Sequence, residues 1–193
     1  MPSYFGVEVS ITELEHIPGM SDGRVVNRLY DLAKGKDVIV EVGSWKGRTA
    51  IKMARSCNGI VYCVDTWLGS GDHNETSEAD TDPLSVYRSF LAHVAHFGVA
   101  HKIAPIAQSS HTANALFKNI ARSVDMLFID GDHWIEAIML DLLRWVPLVR
   151  YGGIVCGDDY KAPSVEVAVQ AYAKRFDYSV RTEIDDKMWF LEK

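Results

Sequence analysis

The residues best suited to chemistry are three aspartates at the ends of two predicted strands. The run FIDGDH at 128–133 ends one strand, and CGDDY at 156–160 ends another. Because neighbouring parallel strands end at the same sheet edge, Asp130, Asp158 and Asp159 can converge there. Carboxylates that close repel one another unless a cation lies among them. The pattern therefore predicts a site for Mg²⁺ or a similar hard divalent cation, with separate turn and cap residues as the alternative.

His133 follows the first of these aspartates and is a candidate general base. Imidazole titrates near neutral pH, so it could accept a proton from a metal-bound hydroxyl. The sequence contains seven histidines. An ordinary surface or structural histidine is therefore the alternative, but the other six histidines have no comparable acidic setting.

The run EVGSWKGRT at 41–49 follows the first strand and predicts a tight strand-to-helix turn. Gly43 and Gly47 permit such a turn, and the amides that open the next helix can face a ligand carboxylate or phosphate. The dinucleotide fingerprint needs glycine where Trp45 stands, which argues against NAD or FAD. A turn without any ligand is the alternative.

Polar residues also follow the next two strands. Asp65 ends the second strand roughly 20 residues after the glycine turn, where an acid can accept hydrogen bonds from a ribose diol. A capping or turn aspartate is the alternative. After the third strand, the run of Gln108, Ser109 and Ser110 could reach an adenine edge, and Ser109 or Ser110 could cap the next helix; these two roles are compatible.

A parallel α/β sheet would bring these residues together, and the sequence predicts one. Apolar β-branched runs alternate with segments of helical period. Strands are expected at 38–42, 60–65, 102–107, 124–130 and 153–157, and helices at 48–56, 84–97, 112–120, 134–149 and 164–176. Two further strand-like runs, 178–184 and 188–191, are joined by only three residues. Because a connection of three residues is too short for the crossover between parallel strands, it predicts an antiparallel hairpin.

Length and composition predict one globular domain over residues 1–193, with 48% hydrophobic and 24% charged residues. Residues 1–36 are expected to form an N-terminal helical cap, whose helix would begin at Ser21 or Asp22 and run to Ala33, with Gly35 as its stop. Residues 69–83 form a polar loop too long for an ordinary connection, either a solvated excursion or a lid.

The charge pattern bears on partners and compartment. The net charge is −6, and residues 69–87 hold five acidic side chains without a lysine or arginine. With no basic stripe, nucleic-acid binding is not expected.

No apolar run reaches the roughly 20 residues of a membrane span. The N-terminus lacks the features of a secretory signal, and Cys57, Cys63 and Cys156 are few and odd in number, which together predict a cytoplasmic protein with reduced thiols.

Four motifs in order, EVGSWKG, VDTW, IDGDH and GGxxxGDDY, resemble class I S-adenosylmethionine-dependent methyltransferases. Within that class they are most similar to the metal-dependent O-methyltransferases, which include catechol O-methyltransferase, macrolide-sugar O-methyltransferases and cephalosporin hydroxylase-like relatives. The resemblance covers residues 37–160. It implies a Rossmann-like, mostly parallel seven-stranded sheet with a C-terminal antiparallel hairpin and helices on both faces.

The resemblance also implies roles for individual residues. Asp130, Asp158 and Asp159 would hold the metal, and His133 stands where catechol O-methyltransferase has a lysine as general base. Thr49 would contact the carboxylate of S-adenosylmethionine. The implied cofactor-binding residues are Gly43, Ser44, Trp45, Gly47, Thr49, Asp65 as the ribose acid, Thr66, and Ser109 at the adenine edge.

The function expected from these inferences is O-methylation of a small-molecule hydroxyl, on a sugar, polyketide or phenol, with S-adenosylmethionine and Mg²⁺. The acidic loop would disfavour anionic acceptors, and the relatives suggest a homodimer. One alternative is a protein that binds S-adenosylmethionine without transferring its methyl group, in a regulatory or assembly role. Another is a different tailoring enzyme such as an oxygenase, although the sequence has no convincing 2-His-1-carboxylate set.

Overall fold

Parallel strands form the centre of the computed structural model, which describes residues 2–68, 84–120 and 123–193. Within these ranges the strands are β1 (Ser3–Tyr4), β2 (Val7–Glu8), β3 (Val38–Val42), β4 (Ile60–Asp65), β5 (Ile103–Ala107), β6 (Val124–Ile129), β7 (Val149–Gly157), β8 (Ser179–Glu183) and β9 (Met188–Glu192). β1 and β2 pair as a small antiparallel hairpin. The other strands form one sheet.

Helices connect the strands of this sheet. They are α1 (Gly23–Ala33), α2 (Arg48–Ala54), α3 (Ser85–His96), α4 (Ser110–Ala113), α5 (Ile135–Trp145) and α6 (Pro163–Phe176). Short 3₁₀ helices lie at Leu14–His16, Ala100–Lys102, Asn114–Ile120 and Val146–Leu148. The predicted acidic loop 69–83 lies outside the described residues.

The strand order of the seven-stranded sheet in this part of the chain is β5-β4-β3-β6-β7-β9-β8. The pairs from β5 to β7 are parallel, whereas β9 is antiparallel to both β7 and β8. The chain moves outward from β3 to β5 and then returns to β6 beside β3. This reversal creates a crevice at the carboxyl ends of β3 and β6, the usual ligand position in such sheets. The predicted Rossmann-like fold and its terminal hairpin are confirmed.

Alternate residues of the central strands supply two separate cores. Met126 and Phe128 of β6 point to the face covered by α1, α2 and α3. Leu127 and Ile129 point to the face covered by α5 and α6. Since every residue of β6 is buried, the strand is a continuous apolar run interrupted only by Asp125, as expected for a sheet covered on both faces.

The N-terminal region agrees in part with its prediction. Asp22 caps α1 by accepting a hydrogen bond from the Arg24 amide at 2.8 Å, and the helix ends at Ala33. The β1–β2 hairpin was not predicted, because strands of two residues are too short to show an alternating pattern. Arg28 binds Glu183 of β8 at 2.7 Å and thereby ties α1 to the C-terminal hairpin.

Two predicted helices are α-helical only in part. The helix expected at 112–120 begins earlier, with α4 at Ser110, and continues as a 3₁₀ helix over Asn114–Ile120. The helix expected at 134–149 ends at Trp145, because Pro147 has no amide hydrogen for helical bonding. Strand β7 accordingly starts earlier than predicted, at Val149.

The remaining global features are consistent with the composition. Cys57, Cys63 and Cys156 are all buried and form no disulfide with one another. In the described ranges, no helix combines the length and the apolar character that crossing a membrane requires.

Candidate active site

The turn after β3 lies in direct contact with the loop after β6. Gly43 has φ +89°, and a Cβ at this position would lie 1.9 Å from the backbone oxygen of Asp130. The Asp130 amide donates to the carbonyl of Val42 at 2.8 Å, which holds the two loops together. Only glycine allows this approach, so the glycine turn and the first predicted metal ligand are adjacent.

Asp65 holds the glycine turn from the end of β4. Its Oδ2 accepts hydrogen bonds from the amides of Ser44 at 2.9 Å and Trp45 at 2.8 Å, and its Oδ1 accepts from Trp67 at 2.7 Å. Trp45 itself adopts a left-handed conformation with φ 41°. The structure thus shows the turn role that was the alternative to ribose binding. A carboxylate has about four lone-pair positions, so one remains for a further donor.

Trp67 supports the same turn, and no role was predicted for it. Its indole Nε1–H donates to the carbonyl of Trp45 at 2.7 Å. The buried ring packs against Tyr87 and Phe90 of α3, with centroids 4.6 and 4.9 Å away. A Cβ at Gly47 would lie 2.9 Å from the Phe90 ring, so this aromatic group sets the path of the turn. In the sequence, the feature that could have identified Trp67 is its position in the VDTW motif.

One predicted cofactor hydroxyl, that of Ser44, bonds to the buried Glu41. It donates to Glu41 Oε2 at 2.5 Å. Thr49, predicted to contact the cofactor carboxylate, is itself buried. Burial raises the pKa of Glu41 to about 7, an effect that the hydrogen bond from Ser44 opposes. Thr66 is exposed, and its hydroxyl accepts from the Leu68 amide at 3.2 Å.

At the end of β5, Ser109 is the N-cap of α4. Its Oγ accepts from the Thr112 amide at 3.4 Å and lies 3.0 Å from the Thr112 hydroxyl. The predicted capping role is therefore present in the structure. The neighbouring Ser110 points elsewhere and donates to Asp141 Oδ1 at 2.5 Å.

Asp141 is a buried polar residue that was not predicted. It lies inside α5 on the face formed by Ile138, Leu142 and Trp145, and only 3% of it is exposed. In the sequence, the feature that could have identified Asp141 is an aspartate at a core position of an amphipathic helix.

The acidic cluster at the ends of β6 and β7 comprises Asp130, His133 and Asp159. One ligand atom from each lies within 4.8 Å of the others, and His133 Nε2 is 3.0 Å from Asp159 Oδ2. Asp158 lies beside the cluster and is buried, with its Oδ1 accepting from the Asp159 amide at 2.9 Å. The structure therefore groups two of the three predicted metal ligands with the predicted base.

The cluster is electrostatically unfavourable by itself. Burial, followed by the charges of Asp158 and Asp159, raises the pKa of Asp130 well above its usual range. Burial, with a contribution from the charge of Asp159, raises the pKa of Asp158 to about 6. A cation would relieve this repulsion. The carboxylate oxygens of Asp130 and Asp159 are suitable ligands for a hard divalent ion such as Mg²⁺ or Mn²⁺, so the residues present fit a metal.

The N-terminal segment closes one side of the cluster. The Ser21 hydroxyl donates to Asp130 Oδ2 at 3.1 Å. Arg48 of α2 fixes this segment by donating to the carbonyl of Ser21 at 3.2 Å. The adjacent Asp22 binds Lys187 of the hairpin turn at 2.7 Å. The start of α1 thus connects the acidic cluster to the C-terminal hairpin.

Comparisons with known proteins identify the family and the fold. A family model described as a methyltransferase domain matches residues 40–160. An uncharacterised protein of Acanthamoeba polyphaga mimivirus is 24% identical over 135 residues, which are 67% of this chain and 56% of that protein. The chain therefore spans little more than half of this curated relative.

Solved structures with the same fold include two O-methyltransferases. The O-methyltransferase NovP has a TM-score of 0.60 at 18% identity, with 88% of this chain and 79% of that chain covered. An O-methyltransferase from Bacillus cereus in complex with SAH has a TM-score of 0.65 at 16% identity, with 93% and 86% covered. At such identities these likenesses show the shared fold.

Proposed function

Because this chain belongs to the methyltransferase-domain family matched over residues 40–160, we propose that it is an S-adenosylmethionine-dependent, divalent-metal-assisted O-methyltransferase. The proposed acceptor is a hydroxyl of a small molecule such as a sugar, polyketide or phenol. The observation that carries the proposal is the contact between the Gly43 turn and the Asp130 loop, where a Cβ would lie 1.9 Å from a backbone oxygen. A methyl donor on the turn and an acceptor at the cluster would therefore be neighbours.

The proposed cofactor site follows the carboxyl ends of β3, β4 and β5. The turn at residues 43–47, in which Gly43, Trp45 and Gly47 all have positive φ, would lie against the methionine part. Asp65 would use its remaining lone pair for the ribose, and the serines after β5 would lie near the adenine. The methyl donor supplies the transferred carbon at its sulfonium centre.

Asp130 and Asp159 would hold the divalent ion, with Asp158 beside them. Such an ion lowers the pKa of a bound hydroxyl. His133 would accept the proton of the acceptor hydroxyl, and Asp159, 3.0 Å from its Nε2, would orient the imidazole ring. The N-terminal segment around Ser21 would exclude water from this side of the cluster.

A methyl-transfer assay with matched variants tests the proposal. S-adenosylhomocysteine release is measured over a panel of hydroxylated acceptors, with Mg²⁺ or with a chelator. Asp159 and Asp177 both adopt left-handed conformations, with φ 56° and 60°. Asparagine tolerates this conformation, so Asp159→Asn is expected to abolish metal-dependent transfer while the exposed control Asp177→Asn keeps it.

Metal binding can also be measured without turnover, from its effect on the Tm. Mg²⁺ or Mn²⁺ is expected to raise the Tm of the wild type and of Asp177→Asn but not of Asp159→Asn, because a ligand that binds only the folded state stabilises it. Full turnover in chelator would refute the metal assignment. Binding of S-adenosylmethionine without transfer to any acceptor would favour the alternative, a binding protein with a regulatory or assembly role.

A further inference from the structure

The loop after β7 is held by the C-terminal hairpin through a contact that lies outside the proposed chemistry. Trp189 of β9 is the antiparallel register partner of Gly157, the last residue of β7. The two are so close that a Cβ at Gly157 would lie 2.3 Å from Trp189 Cζ2. Trp189 is buried, and its Nε1–H donates to the backbone carbonyl of Asp158 at 3.1 Å. The indole therefore holds the peptide that leads into Asp159.

Both peptides that flank Asp159 are held by hydrogen bonds. The Asp159 amide donates to Asp158 Oδ1 at 2.9 Å. The next amide, of Tyr160, donates to the carbonyl of Lys187 in the hairpin turn at 2.9 Å. The bond from Trp189 is the third, and it is the contribution of a side chain from another strand. The hairpin thus holds the loop on both sides of Asp159.

These bonds keep Asp159 in a conformation that is disfavoured for most residues. Its φ is 56°, in the left-handed region that glycine adopts most easily. Rotation of the peptide between Asp158 and Asp159 would relieve this conformation, but it would break the bond from Trp189. Because the backbone dihedrals set the direction of the Cα–Cβ bond, such a relaxation would also move the Asp159 carboxylate relative to Asp130 and His133.

We propose that Trp189 is a positioning residue of the metal site and sets its affinity for a divalent cation by holding the Asp159 carboxylate beside Asp130. This inference rests on the metal site of the proposed function. Trp189 does not touch the ion and acts through the Asp158 carbonyl. The C-terminal hairpin thereby belongs to the metal site, although none of the proposed ligands lies on it.

The affinity for Mn²⁺, measured from the electron paramagnetic resonance signal of the free ion, tests the inference. Trp189→Phe keeps an aromatic ring in the core and removes the N–H donor. It is expected to bind Mn²⁺ about 5- to 10-fold more weakly than the wild type, the effect of one lost buried hydrogen bond. The titration is made at a temperature at which each variant is folded, so that a lower stability alone does not change the result.

Trp145→Phe is the matched control. Trp145 is buried in the same core as Trp189, but its Nε1 has no hydrogen-bond partner in the part of the chain that the structure describes. The two substitutions remove the same atoms, so both variants share the effect of a smaller ring. Trp145→Phe is expected to bind Mn²⁺ with wild-type affinity.

A second replacement of Trp189 removes the donor without changing the ring size. In 3-benzothienylalanine, a sulfur atom takes the place of the indole N–H, and this variant is expected to lose the same affinity as Trp189→Phe. If Trp189→Phe does not fold, the sulfur variant decides. Wild-type affinity in the folded Trp189 variant, or an equal loss in Trp145→Phe, overturns the inference and leaves the proposed function intact. No binding of Mn²⁺ by the wild type contradicts both the metal assignment and the inference.

Discussion

The buried carboxyl of Glu41 makes stability depend on pH in a predictable direction. Burial raises its pKa from 4.5 to about 7 in the folded state, so the folded protein holds this proton more tightly than the unfolded chain. The contribution of Glu41 to the free energy of unfolding therefore falls as the pH rises between these values. At 1.36 kcal/mol per pH unit, the rise from 4.5 to about 7 is equivalent to ~3 kcal/mol.

Glu41→Gln removes this titration while keeping the shape of the side chain. Other carboxyls with raised pKa, among them Asp141 and Asp158, remain in both proteins and largely cancel in the difference. Between pH 5 and pH 8.5, the free energy of unfolding of Glu41→Gln relative to the wild type is expected to increase by about 2–3 kcal/mol. Any pH-independent cost of burying the amide also cancels.

Urea denaturation at the two pH values measures this difference. Glu166→Gln replaces an exposed glutamate on α6 and is expected to show the same change with pH as the wild type. If Glu41→Gln also changes in parallel with the wild type, the pKa of Glu41 is not raised in the folded protein, and the prediction is refuted.

Further substitutions probe the loops around the site. Gly43→Ala is expected to lower the Tm by at least twice as much as Gly35→Ala, because both glycines have positive φ but nothing lies within 4 Å of a Cβ at Gly35; equal shifts in scanning calorimetry would contradict the close approach. Asp65→Asn is expected to weaken S-adenosylmethionine binding about 10-fold or more, because both oxygens of Asp65 accept from backbone amides and the asparagine NH₂ group would face the donors of one side; wild-type affinity in titration calorimetry would contradict this. Asp125→Asn should cost about 1–3 kcal/mol of stability, since Oδ2 of Asp125 accepts from two backbone amides and Oδ1 accepts from Arg150, so the asparagine NH₂ group would face a donor on one side; unchanged urea denaturation would contradict this.

The sequence was informative about the sheet because burial on both faces leaves a visible pattern. Each parallel strand was an apolar run, and the three-residue connection after 178–184 required an antiparallel hairpin. The convergence of Asp130 and Asp159 followed from the same topology, since neighbouring strands end at one edge. The β1–β2 hairpin had no such signal.

The direction of individual polar side chains could not be predicted. Ser44 is at a ligand-facing position of the motif, yet its hydroxyl donates to Glu41. That choice depends on rotamers and on the need to satisfy a buried carboxyl. Asp65 likewise serves the backbone amides of a turn whose left-handed residue, Trp45, no sequence pattern indicated.

The most direct test of the central claim is a calorimetric titration of the protein with S-adenosylmethionine, with NAD as the comparison ligand. One-to-one binding of S-adenosylmethionine and no binding of NAD are expected, because Trp45 occupies the place where a dinucleotide needs glycine. No binding of S-adenosylmethionine would contradict the assignment of the glycine turn as part of the cofactor site. It would also contradict the proposed methyl transfer, which requires this cofactor.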